Sequence, residues 1–486
     1  MFHHLLLLLF FQELSDDSTI ESGDSSDTEE MEKWKSTSLI AQSPVMDRNP
    51  SPPRETADGE EDENADAIGN TVYSKLWLFT TLNRLIRMIK DHSEEESEGP
   101  MQLEDDDEED LSRVWDMTMD KDVAGFMLEF KAPDILLGMI VKSKCPRLTE
   151  ICVGILGNMA CFPDTCLTLS QNEDLVAVLL LLLGDADPPT LLEASRFLLT
   201  GLSQKDVCSL WLQRIRQQTS VQSNLCFIMS SSTNKDLLEK VGELVDKLFD
   251  LDEELMKSWI TAQPSEEGDD AESRLDVASC LLEAAKQLRP ESSTGLEVYL
   301  HALQLLTTID EGIQGFASPD GPGKAVWDFV CEIVCEDLCR PEDLPVVLQE
   351  EKKKTILVQS LSVLQALYRC QDQWPSKSVI SLPLVESILR VLQFHSECKD
   401  NEGSNEDEQL HTLAEIATEF LADICSQIPK DTVADLVKKG FLTEKMCLTA
   451  AGSLFPKFKA SFQHLQLMLS ETDPQLADTM RSQFPE

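Results

Sequence analysis

The sequence predicts an all-α chain in which helices stack as a solenoid behind a disordered acidic arm. Three observations carry this. Residues 145–160 can be laid over residues 188–203 without a gap at an offset of 43, so that Pro146 falls on Pro189, Leu148 on Leu191, Glu150 on Glu193 and Leu156 on Leu199. A third copy follows 46 residues on, where Leu237, Leu238, Glu239, Leu244, Val245 and Leu248 take the places of Leu191, Leu192, Glu193, Leu198, Leu199 and Leu202. Recurrence at about 40 to 47 residues, each unit carrying an apolar helix that cannot bury its face alone, marks an armadillo/HEAT-like array. The third observation is charge: residues 1–110 hold 29 Asp and Glu against 8 Lys and Arg. Such a segment, poor in aromatic residues, cannot bury enough apolar surface to offset the entropy of ordering it.

Taken in order, residues 1–70 read as the disordered acidic leader. Its only targeting-like feature, Leu5 to Phe11, is far shorter than a bilayer span and lacks a basic flank and a small-residue cleavage site. Over 71–90, Trp77, Leu78, Leu82, Leu85, Ile86 and Ile89 recur at helical spacing and predict a short amphipathic helix. Residues 91–110 are again acidic and read as a solvated linker, with a docking strip for a basic partner as the other reading. Regular armadillo-like repeats are expected over 111–262. There, Val123 to Phe130 and Ile135 to Lys142 form two short helices broken at Ala132-Pro133, and Pro146 opens a long third one. Asp187 before Pro188 supplies an N-cap ahead of a proline at the first helical position, and Thr233 with Asp236 resembles a capping pair. The richest apolar run, Leu175 to Leu183, is a core helix by length. Residues 263–274 form an inter-repeat loop. Over 275–486 the helices continue without a single register, which predicts irregular repeats with a flexible loop near 396–409.

Composition excludes several functions. The formal charge is −47, of which −21 belongs to residues 1–110. A field of that sign repels phosphate backbones, so direct nucleic-acid binding is not expected, and basic proteins or peptides are the better electrostatic partners. The fourteen cysteines are scattered through apolar helical stretches, which predicts reduced, buried thiols inside the cell. No stretch is long and uncharged enough to cross a membrane.

Catalytic chemistry finds no foothold. Cys331, Cys335 and Cys339 share one helix face, and three thiols in a row on one helix cannot by themselves surround a tetrahedral ion. Asp320 to Ala325 brushes against a phosphate loop, but Ser318 stands where the first glycine belongs and Ala325 replaces the magnesium-binding Ser or Thr. The seven His residues are dispersed. The expectation is a protein that is not an enzyme and holds no metal or cofactor.

Several strings resemble a known family. Residues 46–53, 71–75, 113–117, 142–147, 150–161, 227–234 and 305–310 resemble the vertebrate serum amyloid A-like family associated with synoviocyte proliferation, across essentially 46–486. The resemblance implies an armadillo-type fold, a nuclear location and a role in promoting proliferation of synovial fibroblasts under inflammatory stimulation. It supplies no catalytic residues. Residues 1–45 depart from the family, as an alternative or mispredicted leader would. The expected function is a non-enzymatic scaffold for protein partners, with an adaptor or transport role for basic cargo peptides as the alternative. Helical spacing places Ile151, Gly154 and Asn158, then Ala194, Phe197 and Gly201, then Lys240, Glu243 and Lys247 along the third-helix face as candidate partner-binding residues. In peptide-binding armadillo proteins an Asn on this helix, four residues after a Trp, clamps a peptide backbone. Asn158 fits half of that pattern, since Gly154 stands in place of the Trp. Its other reading is a helix-end side chain hydrogen-bonded to a neighbouring segment.

Overall fold

Helix starts in this chain are written into its local chemistry. In the computed structural model, which describes residues 66–94, 103–261, 276–371, 374, 380–400 and 407–485, Asp187, Asn172, Asn234, Asp276, Ser292 and Asp407 each accept a backbone N–H of the first turn they precede. Pro146, Pro163, Pro188 and Pro474 stand in the first turn, where a missing N–H costs nothing. Among the described residues there is no strand, only an isolated antiparallel bridge between Ala67 and Ser74. The described residues group into two units, one ending at Arg214 and the other beginning at Ile215.

The first unit opens with a hook in which Ile68 is buried and Asn70 N–H donates to Asp122 at 3.0 Å. Helices α1 (Lys75–Glu94) and α2 (Asp105–Met117) follow, then α3 (Lys121–Glu129), α4 (Ala132–Lys142) and α5 (Pro146–Met159). Between α3 and α4, Lys131 takes a left-handed φ of 53°, which produces the break expected at Ala132-Pro133. The module repeats as α6 (Pro163–Gln171), α7 (Glu173–Leu182) and α8 (Pro188–Ser203), followed by α9 (Cys208–Gln217), which crosses the unit boundary. The 43-residue sequence repeat is the packing of α8 against α5, the most extensive helix pair in this unit. Leu148, Ile151, Leu156, Ala194 and Phe197 are fully buried or nearly so, and each large side chain so placed contributes about 1.5–3 kcal/mol.

The second unit comprises α10 (Ser220–Ser231), α11 (Lys235–Leu251), α12 (Glu253–Thr261), α13 (Val277–Leu288), α14 (Ser293–Leu306) and α15 (Asp310–Ala317). Next come α16 (Gly323–Glu332), running into a π-helical turn (Ile333–Leu338), α17 (Leu344–Val347), α18 (Glu351–Cys370) and α19 (Leu382–Asp400). The unit closes with α20 (Glu408–Gln427), α21 (Lys430–Lys438), α22 (Glu444–Leu454), α23 (Lys459–Thr472) and α24 (Pro474–Gln483). The long helices α11, α14, α18, α20 and α23 pack successively in one row, as third helices do in armadillo/HEAT-like arrays. Gly440, at φ 75°, ends α21, and Phe441 N–H reaches back to Leu436 at 2.9 Å.

Five boundaries depart from the sequence reading. The first helix, expected over 71–90, spans Lys75–Glu94 and so takes in the start of the expected linker. Residues 105–110, expected in the acidic linker, are the first turns of α2, where carboxylates face the positive end of the helix dipole. Arg84 and Arg147, from α1 and α5, neutralise Asp107 and Glu108 at 2.7 and 2.8 Å. Residues 396–400 and 408–409, expected in the flexible loop, belong to α19 and α20. The α11 cap is Asn234 and not Thr233, because its Oδ1 accepts from Leu237 N–H at 3.0 Å. Residues 66–70, placed in the disordered leader, form the hook around Ile68. The rest of the leader, the 263–274 loop and Leu5 to Phe11 lie outside the described residues.

Candidate partner-binding surface

Third-helix residues of the first unit turn inward. Ile151, Ala194 and Phe197 are wholly buried, Asn158 is 5% exposed, and Gly154 and Gly201 are buried as well. These six expected partner-binding residues therefore form packing, not a surface. The reason is steric. A Cβ on Gly154 would sit 2.2 Å from the indole of Trp115, and one on Gly201 would sit 2.7 Å from Trp211 Nε1. Each glycine is a notch that receives a tryptophan from a neighbouring helix. Trp211 is fully buried there, edge-on to Phe197 at 5.8 Å, and donates to Ser170 Oγ at 2.9 Å. The second unit repeats the device: Tyr299 lies 2.7 Å from where a Gly242 Cβ would be, and its hydroxyl donates to Leu238 O at 2.8 Å.

Asn158 is likewise occupied. Its Nδ2 donates to Trp115 O at 2.8 Å, and its Oδ1 accepts from Arg196 Nη1 at 3.0 Å. Arg196 also donates to Gly154 O at 3.0 Å and to Glu193 at 2.7 Å. The amide that would hold a peptide backbone in a peptide-binding array here joins α2, α5 and α8 to one another.

The remaining three candidates lie on α11 in the second unit and are half-exposed. Lys240 pairs with Glu243 at 2.5 Å, and Lys247 with Asp250 at 3.6 Å. Along the row of long helices, polar side chains continue across the seams. His301 Nδ1 meets Asp246 at 2.7 Å, and that hydrogen bond, opposed by partial burial, holds its imidazole above the usual range. Lys352 donates to Thr294 at 2.7 Å, and Gln365 and Arg369 both reach Asp423, at 2.9 and 2.8 Å. These contacts make a polar row across four helices of one unit.

Beside α20 lies a cleft of about 540 Å³ whose walls come from α19, α20 and α22. Leu392, Ala414 and Leu448 give it an apolar floor, while Phe458 and Phe484 close one side. His395 and His411, dispersed in sequence, bring their rings to 5.8 Å here. Glu415 is held by Lys457 at 3.0 Å, with His411 at 4.0 Å. The periodicity of His411, Ala414, Glu415, Thr418 and Glu419 puts all five on one face of α20 and was available in the sequence. What was not available is α22, which supplies the opposite wall.

Burial makes several of the thiols poor nucleophiles. All fourteen cysteines are free, and burial pushes Cys335 up to about 11 and Cys339 and Cys425 up to about 12. These remain protonated at neutral pH, unlike the depressed thiols of reactive sites. Among the described residues no three or more His, Cys, Asp or Glu side chains are placed to hold a metal ion. No single described helix is long and apolar enough to span a membrane.

Comparison with known proteins places this architecture in a family. Residues 221–462 match the SAAL1 C-terminal domain. Protein saal1 of Danio rerio is 56% identical over 450 residues, covering 91% of this chain and 94% of the relative. Protein SAAL1 of Homo sapiens is 44% identical over 470 residues, covering 90% of this chain and 99% of the relative. Among solved structures, the SYS-1/POP-1 complex matches at a TM-score of 0.36 and 11% identity, covering 85% of this chain and 82% of the matched one. An engineered protein matches at a TM-score of 0.37 and 16% identity, covering 82% and 97%.

Proposed function

This chain belongs to the SAAL1 family, and from that premise we propose that it works as a non-enzymatic scaffold whose second unit presents a polar helical row to protein partners. The observation that carries the reading is the row itself: α11, α14, α18 and α20 carry polar and charged side chains across three successive seams, over a core closed by their apolar faces. Surfaces of that kind serve as extended docking walls in solenoids. The chain's charge of −47 favours basic partners, which supports an adaptor for basic cargo peptides as the second reading. A nuclear location and promotion of synovial fibroblast proliferation under inflammatory stimulation complete the proposal and rest on the family resemblance alone.

Proximity labelling in cells with the full chain, beside a variant carrying Lys240→Glu, Glu243→Lys and Lys247→Glu, tests the scaffold reading. These side chains are half-exposed, so the fold is expected to survive, and a defined subset of labelled partners should disappear. An unchanged partner set would refute a role for the α11 face. Imaging of the same tagged chain tests the nuclear location, and depletion in stimulated synovial fibroblasts should slow their division.

A further inference from the structure

The cleft beside α20 has a charge pattern that selects its occupant. Both lysines on its rim are already neutralised: Lys457 by Glu415 at 3.0 Å, and Lys445 by Glu397 at 2.5 Å. An anionic ligand would have to displace carboxylates tethered beside their lysines. Glu419 is different. It is exposed on the α20 wall, and among the described residues no Lys, Arg or His nitrogen lies within ion-pair distance of it. The neighbouring aromatic cluster already accepts a cation elsewhere, since Lys459 Nζ lies 5.9 Å from the centre of the Phe455 ring. Phe484 is fixed against Phe455 at 5.7 Å and Phe462 at 6.3 Å, so the aromatic side of the cleft is anchored.

Size sets the other limit. From His411 to Glu419 the wall runs eight residues of helix, roughly 12 Å, which matches about four residues of extended chain. The floor of Leu392, Ala414 and Leu448 suits the alkyl stem of a long side chain, with its charged head at the polar rim. We propose that this cleft binds an arginine or lysine side chain of an extended segment from a basic partner protein, with Glu419 as its counter-charge and Phe458 and Phe484 flanking the stem. The proposal rests on the scaffold reading and adds to it a site and a ligand class.

The test uses the full chain and three fluorescein-labelled hexapeptides identical except for two central residues: arginine, glutamate or norleucine. The arginine probe should bind most tightly by fluorescence anisotropy. Glu419→Gln should weaken it roughly three- to fivefold, the range of a partly exposed ion pair, while Glu291→Gln, an exposed carboxylate outside the cleft, leaves it unchanged. Gly452→Trp should abolish binding by filling the cleft, because a Cβ there meets nothing nearer than Phe484 at 3.5 Å. Melting temperatures of the variants report whether the fold is kept, and if Gly452→Trp fails that control, Glu419→Gln decides alone. Equal binding of the arginine and glutamate probes overturns the ligand class. Arginine binding that survives both cleft variants overturns the site while leaving the scaffold reading to the partner-labelling experiment.

Discussion

Replacing Gly201 by Ala isolates the glycine notch on which the first unit is built. Judged from helix propensity alone, Ala should stabilise α8 by at most about 1 kcal/mol. The packing predicts the opposite sign. The new methyl carbon would stand 2.7 Å from Trp211 Nε1 and 3.1 Å from Cδ1, and Trp211 is fully buried, so the ring has nowhere to swing. Overpacking of this kind costs about 1–3 kcal/mol. Displacing the indole also stretches the 2.9 Å bond to Ser170 Oγ, worth about 1 kcal/mol. After subtracting the propensity gain, the net loss is about 1–3 kcal/mol, or roughly 3–10 °C in the melting transition of a unit this size. Thermal unfolding followed by tryptophan fluorescence and circular dichroism measures it. Adding Trp211→Leu to Gly201→Ala should recover part of the clash, giving a favourable coupling in the double-mutant cycle. A Gly201→Ala protein as stable as the parent, or more stable, would refute the notch.

Three further outcomes follow from the same geometry. Asn158→Ala should destabilise the first unit by about 1–3 kcal/mol, because it strips partners from Trp115 O and Arg196 in a buried setting, yet leave peptide binding in the Glu419 cleft unaltered; urea titration and the anisotropy assay separate the two. Asp407→Ala should cost about 2–4 kcal/mol, since it removes the α20 cap and leaves the Lys354 ammonium, which is 5% exposed, without its carboxylate, whereas Asp407→Asn should cost less by keeping the cap. His301 has its imidazole raised by Asp246, with Asp250 and Glu297 adding to the effect, so the folded state holds a proton that the unfolded state releases near pH 6.5. Its contribution is therefore full below that pH and fades as pH rises through the raised folded value, and His301→Gln should flatten the decline in melting temperature from pH 6 to 8.

Much of the fold was legible because the repeat returns the same residues at a few decisive turns. Pro146 and Pro189, Leu148 and Leu191, and Glu150 and Glu193 fall on equivalent turns of α5 and α8, and the Asp187 cap needs only its own neighbours. What stayed hidden depends on distant partners. Asp105 to Glu109 reads as a solvated run because like charges repel, and only Arg84 and Arg147, 23 and 39 residues from the carboxylates they meet, turn it into a helix start. Gly154 looks like a lost tryptophan until Trp115, 39 residues upstream, is seen to fill its place. The cleft is hidden for a similar reason: His395 and His411 sit on separate helices, and Lys445 and Phe484 arrive from later ones.

The placement of the arginines has a consequence for how this molecule meets its solvent. Arg196, Arg214 and Arg390 spend guanidinium donors on main-chain carbonyls of Gly154, Ser170 and Cys339, joining helices from within, although the chain has only 41 cationic side chains to set against 88 carboxylates. The surplus of carboxylates that remains leaves an outer shell whose mutual repulsion strains the fold at low ionic strength. Dissolved salt relieves that repulsion while these guanidinium–carbonyl bonds stay in place, so a modest rise in electrolyte should tighten the protein rather than loosen it.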